Sequence, residues 1–184
     1  MAKTITVLPC KYWDSKREIF FNYPEKPITF QIEHSLVSLS KWESKWKKPF
    51  LSKAKERTAE EMRDYIRCMT ITQNVDPDLY YFLPDDVITE ITSYIEDSMT
   101  ATTFGSTDQE KASREIVTSE LIYYWMVAFN IPFTCEKWHL NRLMTLIRIC
   151  SIKNSPSKKM SAGEIRARNQ KLNAARRKAM HSKG

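Results

Sequence analysis

Glycine is nearly missing from this chain, with three in 184 residues. That scarcity disfavours the Walker A loop, the dinucleotide loop and glycine-dense β architectures, which need glycine where backbone approaches a phosphate or turns with positive φ. Cysteine is sparse too. The four, at 10, 68, 135 and 150, include no pair at CxxC spacing, and no signal-peptide pattern follows Met1, so the expectation is reduced thiols in a soluble intracellular protein. Long apolar runs are also lacking. The longest, 121–133, is shorter than a membrane span and is interrupted at Asn130 and Pro132.

Catalytic signatures are equally thin. The three histidines are His34, His139 and His181, and there is no GxSxG or HExxH motif. Cys135 and His139 stand four apart and would share a helix face, but no second close pair completes a zinc site. Cys135 and Cys150 therefore read as core residues, and no metal or cofactor is expected. The run Trp138-His139-Leu140-Asn141 resembles the histidine-bearing edge of some nucleases, yet no flanking ββα pattern accompanies it. His139 is expected at a helix surface beside Trp138. The acidic pairs Glu60-Glu61 and Asp85-Asp86 belong in helix first turns, where they offset the macrodipole. The chain reads as non-enzymatic.

What the chain does have is bulk and an uneven charge. Hydrophobic residues make up 42% and aromatics 11%, enough to bury a real core. The net charge is +7, but residues 153–184 hold ten basic side chains against the single acid Glu164. That segment therefore carries +9, which leaves −2 for the preceding 152 residues. A near-neutral body bears a cationic tail, and the tail calls for an acidic partner.

Patterning divides the chain into an N-terminal β element (1–34), a helical body (35–152) and a basic C-terminal tail (153–184), giving a mainly α (α+β) fold. Alternation at 3–8, an apolar run at 18–21 and alternation at 28–33, punctuated by Pro9, Asn22, Pro24 and Pro27, predict a small antiparallel hairpin or three-stranded sheet. Leu36, Leu39, Trp42, Trp46 and Phe50 recur at helical steps after His34-Ser35. Thr58 and Glu61 form a capping box. Asp76 or Asp78 caps a short helix, and Pro84-Asp85-Asp86 opens another. A loop spans 99–111, an apolar helix 113–130, and after Pro132 a helix capped by Thr134 runs to about 152. Residues 154–159 read as a linker. Beyond them Ser161 and Glu164 repeat the capping-box pattern, in a segment too poor in apolar residues to bury itself.

Trp42, Trp46, Tyr124, Trp125 and Trp138 are the candidate partner-binding residues. Trp42 and Trp46, one turn apart among lysines, suit either a base-stacking platform or the buried side of their helix. The apolar helices 113–130 and 138–152 form either a groove for a partner helix or ordinary core. Arg166, Arg168, Lys171, Arg176, Arg177 and Lys178 are the candidate anion-binding set, suited to a phosphate backbone, an acidic protein or solubility alone. A membrane is disfavoured because the tail's apolar face is too thin.

Four stretches together carry a family resemblance: EHSLVSLSKWESKW at 33–46, ITQNVDP at 71–77, KWHLNRL at 137–143 and LNAARR at 172–177. In these and in size and layout the chain resembles the tail assembly chaperones of bacteriophages with long non-contractile tails (siphovirus type). The resemblance implies a non-enzymatic factor in the host cytoplasm during infection that binds a tape-measure-type tail protein and keeps it soluble for virion assembly. Homo-oligomerisation is compatible with it. A head–tail or other virion structural component, and a nucleic-acid-associated protein acting through the basic tail, are the alternatives.

Overall fold

A computed structural model describes residues 2–52, 57–104, 115–154 and 162–180. The described chain is mainly α-helical with a small antiparallel β element at its N-terminus. Strand β1 (Lys3–Val7) pairs with β4 (Ile28–Ile32), and between them β2 (Cys10–Asp14) pairs with β3 (Ile19–Tyr23). The first 32 residues thus double back as a ribbon with one interruption. Residues 8–9 there face 24–27, between the Val7–Ile28 and Cys10–Tyr23 pairs. Pro9, Pro24 and Pro27 lack the N–H donors that a continuous ladder would need. Strand β2 was not among the expected runs; it forms because the hairpin supplies a partner for β3.

In the proximal half of the ribbon, alternation decides burial. Ile5, Val7, Phe30 and Ile32 are buried, while Thr4, Thr6, Thr29 and Gln31 face outward. The second edge of β4 is covered by the chain leaving the next helical pair: Glu33 N–H donates to Met69 O at 2.8 Å and Ile71 N–H to Gln31 O at 2.9 Å. This short segment acts as a third strand and satisfies backbone that would otherwise be buried unpaired.

Helix α1 (Leu36–Trp46) starts at Ser35, whose hydroxyl accepts Ser38 N–H while Ser38 Oγ accepts Ser35 N–H. It ends where Lys47 takes a left-handed conformation. The Thr58–Glu61 capping box opens α2 (Ala59–Met69) as its sequence requires. Asp76 caps a short 3-10 helix (Pro77–Tyr81), and Asp85 and Asp86 lie in the first turn of α3 (Asp85–Glu96).

The next two helices are shorter or later than expected. Thr118 caps α4 (Ser119–Ala128), so 115–118 are not helical, and residues 113–114 lie outside the described set. Thr134 falls inside a second 3-10 helix (Phe133–Lys137), and α5 (Leu140–Asn154) begins six residues beyond it. Helix α1 is central, packing against α2, α4 and the second 3-10 helix. Leu36, Leu39, Trp42, Tyr65, Met69, Ile122, Met126 and Leu143 fill the core beneath the ribbon. Each such side chain contributes roughly 1.5–3 kcal/mol by leaving water.

Contacts divide the chain into two compact units, Met1–Ser151 and Ile152–Gly184. The ribbon and the helical body belong to the first. The second contains α6 (Ala162–Ala179), a helix with no buried residue. Most of the expected linker and Ser161 lie outside the described residues, as does the loop beyond Phe104. Among the described residues no helix is long and apolar enough to cross a membrane.

Candidate functional site

A cleft of about 580 Å³ opens between α4, α5 and the segment 98–104. Three local interactions set its walls. The Glu43 carboxylate, buried at the end of α1, accepts Ser119 N–H at 2.7 Å and Phe50 N–H at 2.8 Å, which anchors the start of α4. Asn141 Nδ2 donates to Ile95 O at 2.9 Å and Asp97 O at 2.8 Å, tying the first turn of α5 to the end of α3. Asp97 Oδ1 then accepts Met99 N–H at 2.8 Å, turning the chain into the third wall.

Trp125, Phe129, Met144 and Ile147 supply the apolar lining, with Arg148 and Glu115 among the polar groups. The Arg148 guanidinium lies 4.0 Å from the centre of the Phe104 ring. The volume suits a few apolar side chains of a ligand. On the outer side of α4, Tyr124 and Val127 are exposed, as is Phe133 just beyond it. Helix α4 is therefore apolar on more of its circumference than the core uses.

The five aromatic candidates separate. Trp125 lines the cleft. Tyr124 is on the adjoining exposed surface, and Trp138 is half-buried with Arg142 stacked 4.3 Å over its ring. Trp42 is 1% exposed and donates its indole N–H to Glu61 O at 2.9 Å. It belongs to the core and cannot meet a partner in this conformation. Trp46 stacks on it with ring centres 6.0 Å apart and donates to Asp64 Oδ2 at 2.7 Å. Trp42 is thus turned inward and Trp46, half-buried, is held beside it, because each indole finds its hydrogen-bond acceptor on α2.

Asp64 collects three donors, from Lys45 Nζ, Trp46 Nε1 and Arg67 Nε at 2.7–3.0 Å. Burial raises its pKa, but these hydrogen bonds outweigh that and hold it below the usual carboxylate value. Phe104, Phe129, Met144 and Arg148 join Trp125 in the lining; they fall within the loop 99–111 and the apolar helices 113–130 and 138–152 that the sequence offers as a groove, but nothing in the sequence singles them out individually.

The histidines correct the sequence reading most sharply. His139 is not at a helix surface but buried at 2% exposure, as is His34. Their rings meet edge to face with centres 5.0 Å apart. His34 Nδ1 shares a 2.6 Å hydrogen bond with the Tyr65 hydroxyl, and His139 Nε2 lies 2.9 Å from Tyr94 O. A carbonyl oxygen only accepts, so Nε2 of His139 carries the proton. The Tyr94 hydroxyl accepts His34 N–H at 3.3 Å, and Leu140 N–H donates to His34 O at 2.8 Å. Burial, and then the neighbouring His139, lower the His34 pKa to about 3. Burial also lowers that of His139, against an opposing hydrogen bond to Tyr94. This pair locks the β4–α1 junction to α2, α3 and α5, and presents no imidazole to solvent.

Cys135 and His139 lie on different elements, the second 3-10 helix and the residue before α5. Among the described residues no three His, Cys, Asp or Glu side chains group as a metal site. The six cationic candidates all lie on α6 in the second unit and are exposed. Comparison with protein-family models, with curated proteins and with solved structures finds no match for this chain.

Proposed function

We propose that the protein is a non-enzymatic assembly factor whose α4–α5 cleft receives an apolar helical segment of another protein. The observation that carries this reading is the cleft itself: an apolar trough walled by Trp125, Phe129, Met144 and Ile147, bordered by exposed Tyr124, Val127 and Phe133. A helix presenting residues at i, i+3 and i+4 would place its apolar face there and extend onto the outer side of α4. Together with the resemblance of 33–46, 71–77, 137–143 and 172–177, this supports a tail assembly chaperone acting in the host cytoplasm on a tape-measure-type tail protein. The α6 helix would be a second interaction element.

The test is co-purification of the full-length chain with a co-expressed tape-measure-type tail protein, in nuclease-treated lysate. Thr145, half-buried on the cleft wall, offers a way to fill the trough. Thr145→Trp should abolish recovery while circular dichroism and melting stay close to those of the parent. Undiminished recovery with the trough filled would overturn the assignment of the cleft. A tape-measure protein that fails to co-purify with the parent chain would overturn the chaperone reading.

A further inference from the structure

The cationic residues of α6 do not form a face. Successive helical residues turn by about 100°. Measured from Ala162, Arg166 and Arg177 fall at about 40–60°, Lys171 and Lys178 at about 160–180°, Arg168 at about 240° and Arg176 at about 320°. All six are exposed, and the helix has one carboxylate, Glu164, in its first turn. Positive charge therefore encircles the helix over the roughly 18 Å from Arg166 to Lys178.

A helix that lies on a flat anionic surface, whether lipid headgroups or the acidic side of a protein, gains nothing from cations on its far side. It also keeps an apolar or neutral stripe for the contact. Here Ile165 and Leu172, each 45% exposed, are the only large apolar side chains of α6, seven residues apart, with Arg168 between them. An environment that surrounds the helix with anions uses every cation. The major groove of a nucleic-acid duplex does so: it admits one α-helix and has a phosphate strand on each flank. On the side between the two pairs lie Arg168, Arg176 and Asn169, at about 240–340°, and arginine and amide side chains pair with base edges. Ala167, Ala174 and Ala175 keep the helix narrow.

We infer that α6 is a groove-binding helix for duplex nucleic acid, with Arg166 and Arg177 holding the phosphates of one strand and Lys171 and Lys178 those of the other. This inference is independent of the cleft. The shared ligand chemistry is a pair of phosphodiester strands, which B-form DNA presents about one helix-width apart and A-form RNA presents across a deeper, narrower groove.

The experiment is fluorescence anisotropy of the full-length protein with a labelled 20-bp DNA duplex, an RNA hairpin of equal length and polyglutamate of matched charge, from 50 to 200 mM NaCl. If about four phosphates are neutralised, affinity should fall on the order of 10²-fold over that range. Arg166→Gln with Arg177→Gln, and separately Lys171→Gln with Lys178→Gln, should each remove about half of the salt slope. Neither pair should change the melting temperature, since α6 buries no residue. Comparable losses from both flanks on either duplex support groove binding, and the tighter duplex identifies the source of the phosphates. The inference is overturned by loss from one flank only, by polyglutamate binding as tight as either duplex, or by no binding at 50 mM salt.

Discussion

Lowering the pH from 7 to 5 should destabilise the fold by roughly 2 kcal/mol through His34 alone. In the unfolded chain His34 titrates near the ordinary imidazole value of about 6.5. In the folded protein it stays neutral until about pH 3. Between those values the unfolded state binds a proton that the native state does not, so stability falls with pH at up to about 1.4 kcal/mol per unit. His139 acts in the same direction. The Tyr65 and Tyr94 hydroxyls face the pair, and the Asp97 carboxylate, which favours an imidazolium at His139, is outweighed there by burial. Carboxylates with lowered pKa, Glu61, Asp64 and Asp76, lose their contribution below about pH 5, so the window from 5 to 7 is governed by the histidines. Urea unfolding should show a midpoint about 1 M lower at pH 5 than at pH 7. The His34 Cε1–H resonance should stay at its neutral position across that range. A pH-independent midpoint, or a His34 resonance titrating near 6.5, would refute the buried-pair argument.

Three further outcomes follow from the packing. Glu43→Ala leaves the buried N–H groups of Phe50 and Ser119 without their acceptor and should destabilise by about 3 kcal/mol in chemical denaturation; a loss below about 0.5 kcal/mol would show that the clasp contributes nothing. Trp42→Phe keeps most of the ring's burial and removes the indole's hydrogen bond to the Glu61 carbonyl, which retains its helical partner, so a loss of about 0.5–1.5 kcal/mol is expected, and the amount of tryptophan emission open to a neutral quencher should be unchanged because the lost indole was never exposed. Asp64→Asn should flatten the acid limb of the stability profile below about pH 4. The sign follows from its lowered pKa, which favours the folded state above that range, and an unaltered acid limb would contradict it.

Local chemistry was legible in the sequence. The Thr58–Glu61 box, the Asp76 cap and the Asp85-Asp86 first turn are each satisfied within a few residues, and the alternation of β1 and β4 is written within each strand although the strands pair across 21–29 residues, so these signals lie side by side in the chain. The mainly α fold with an N-terminal β element follows from them. The charge asymmetry that isolates α6 was equally visible, because composition needs no packing to read.

What only the tertiary structure decided is how distant groups satisfy one another. A lone histidine beside a tryptophan reads as surface until Tyr94, Tyr65 and His34, drawn from three other elements, supply hydrogen bonds and rings that make its burial tolerable. Trp42 and Trp46 could face either way along their helix. Their inward turn depends on the Glu61 carbonyl and the Asp64 carboxylate of α2. Strand β2 exists only as the partner of β3, and α4 starts at Ser119 because Thr118 caps it and Glu43, 76 residues away, accepts its first N–H. The cleft has the same origin: Trp125, Phe129 and Met144 lie on stripes that any core helix would show. They line an opening because Asn141 and Asp97 hold the 98–104 segment against α5, an arrangement that no spacing within one helix encodes.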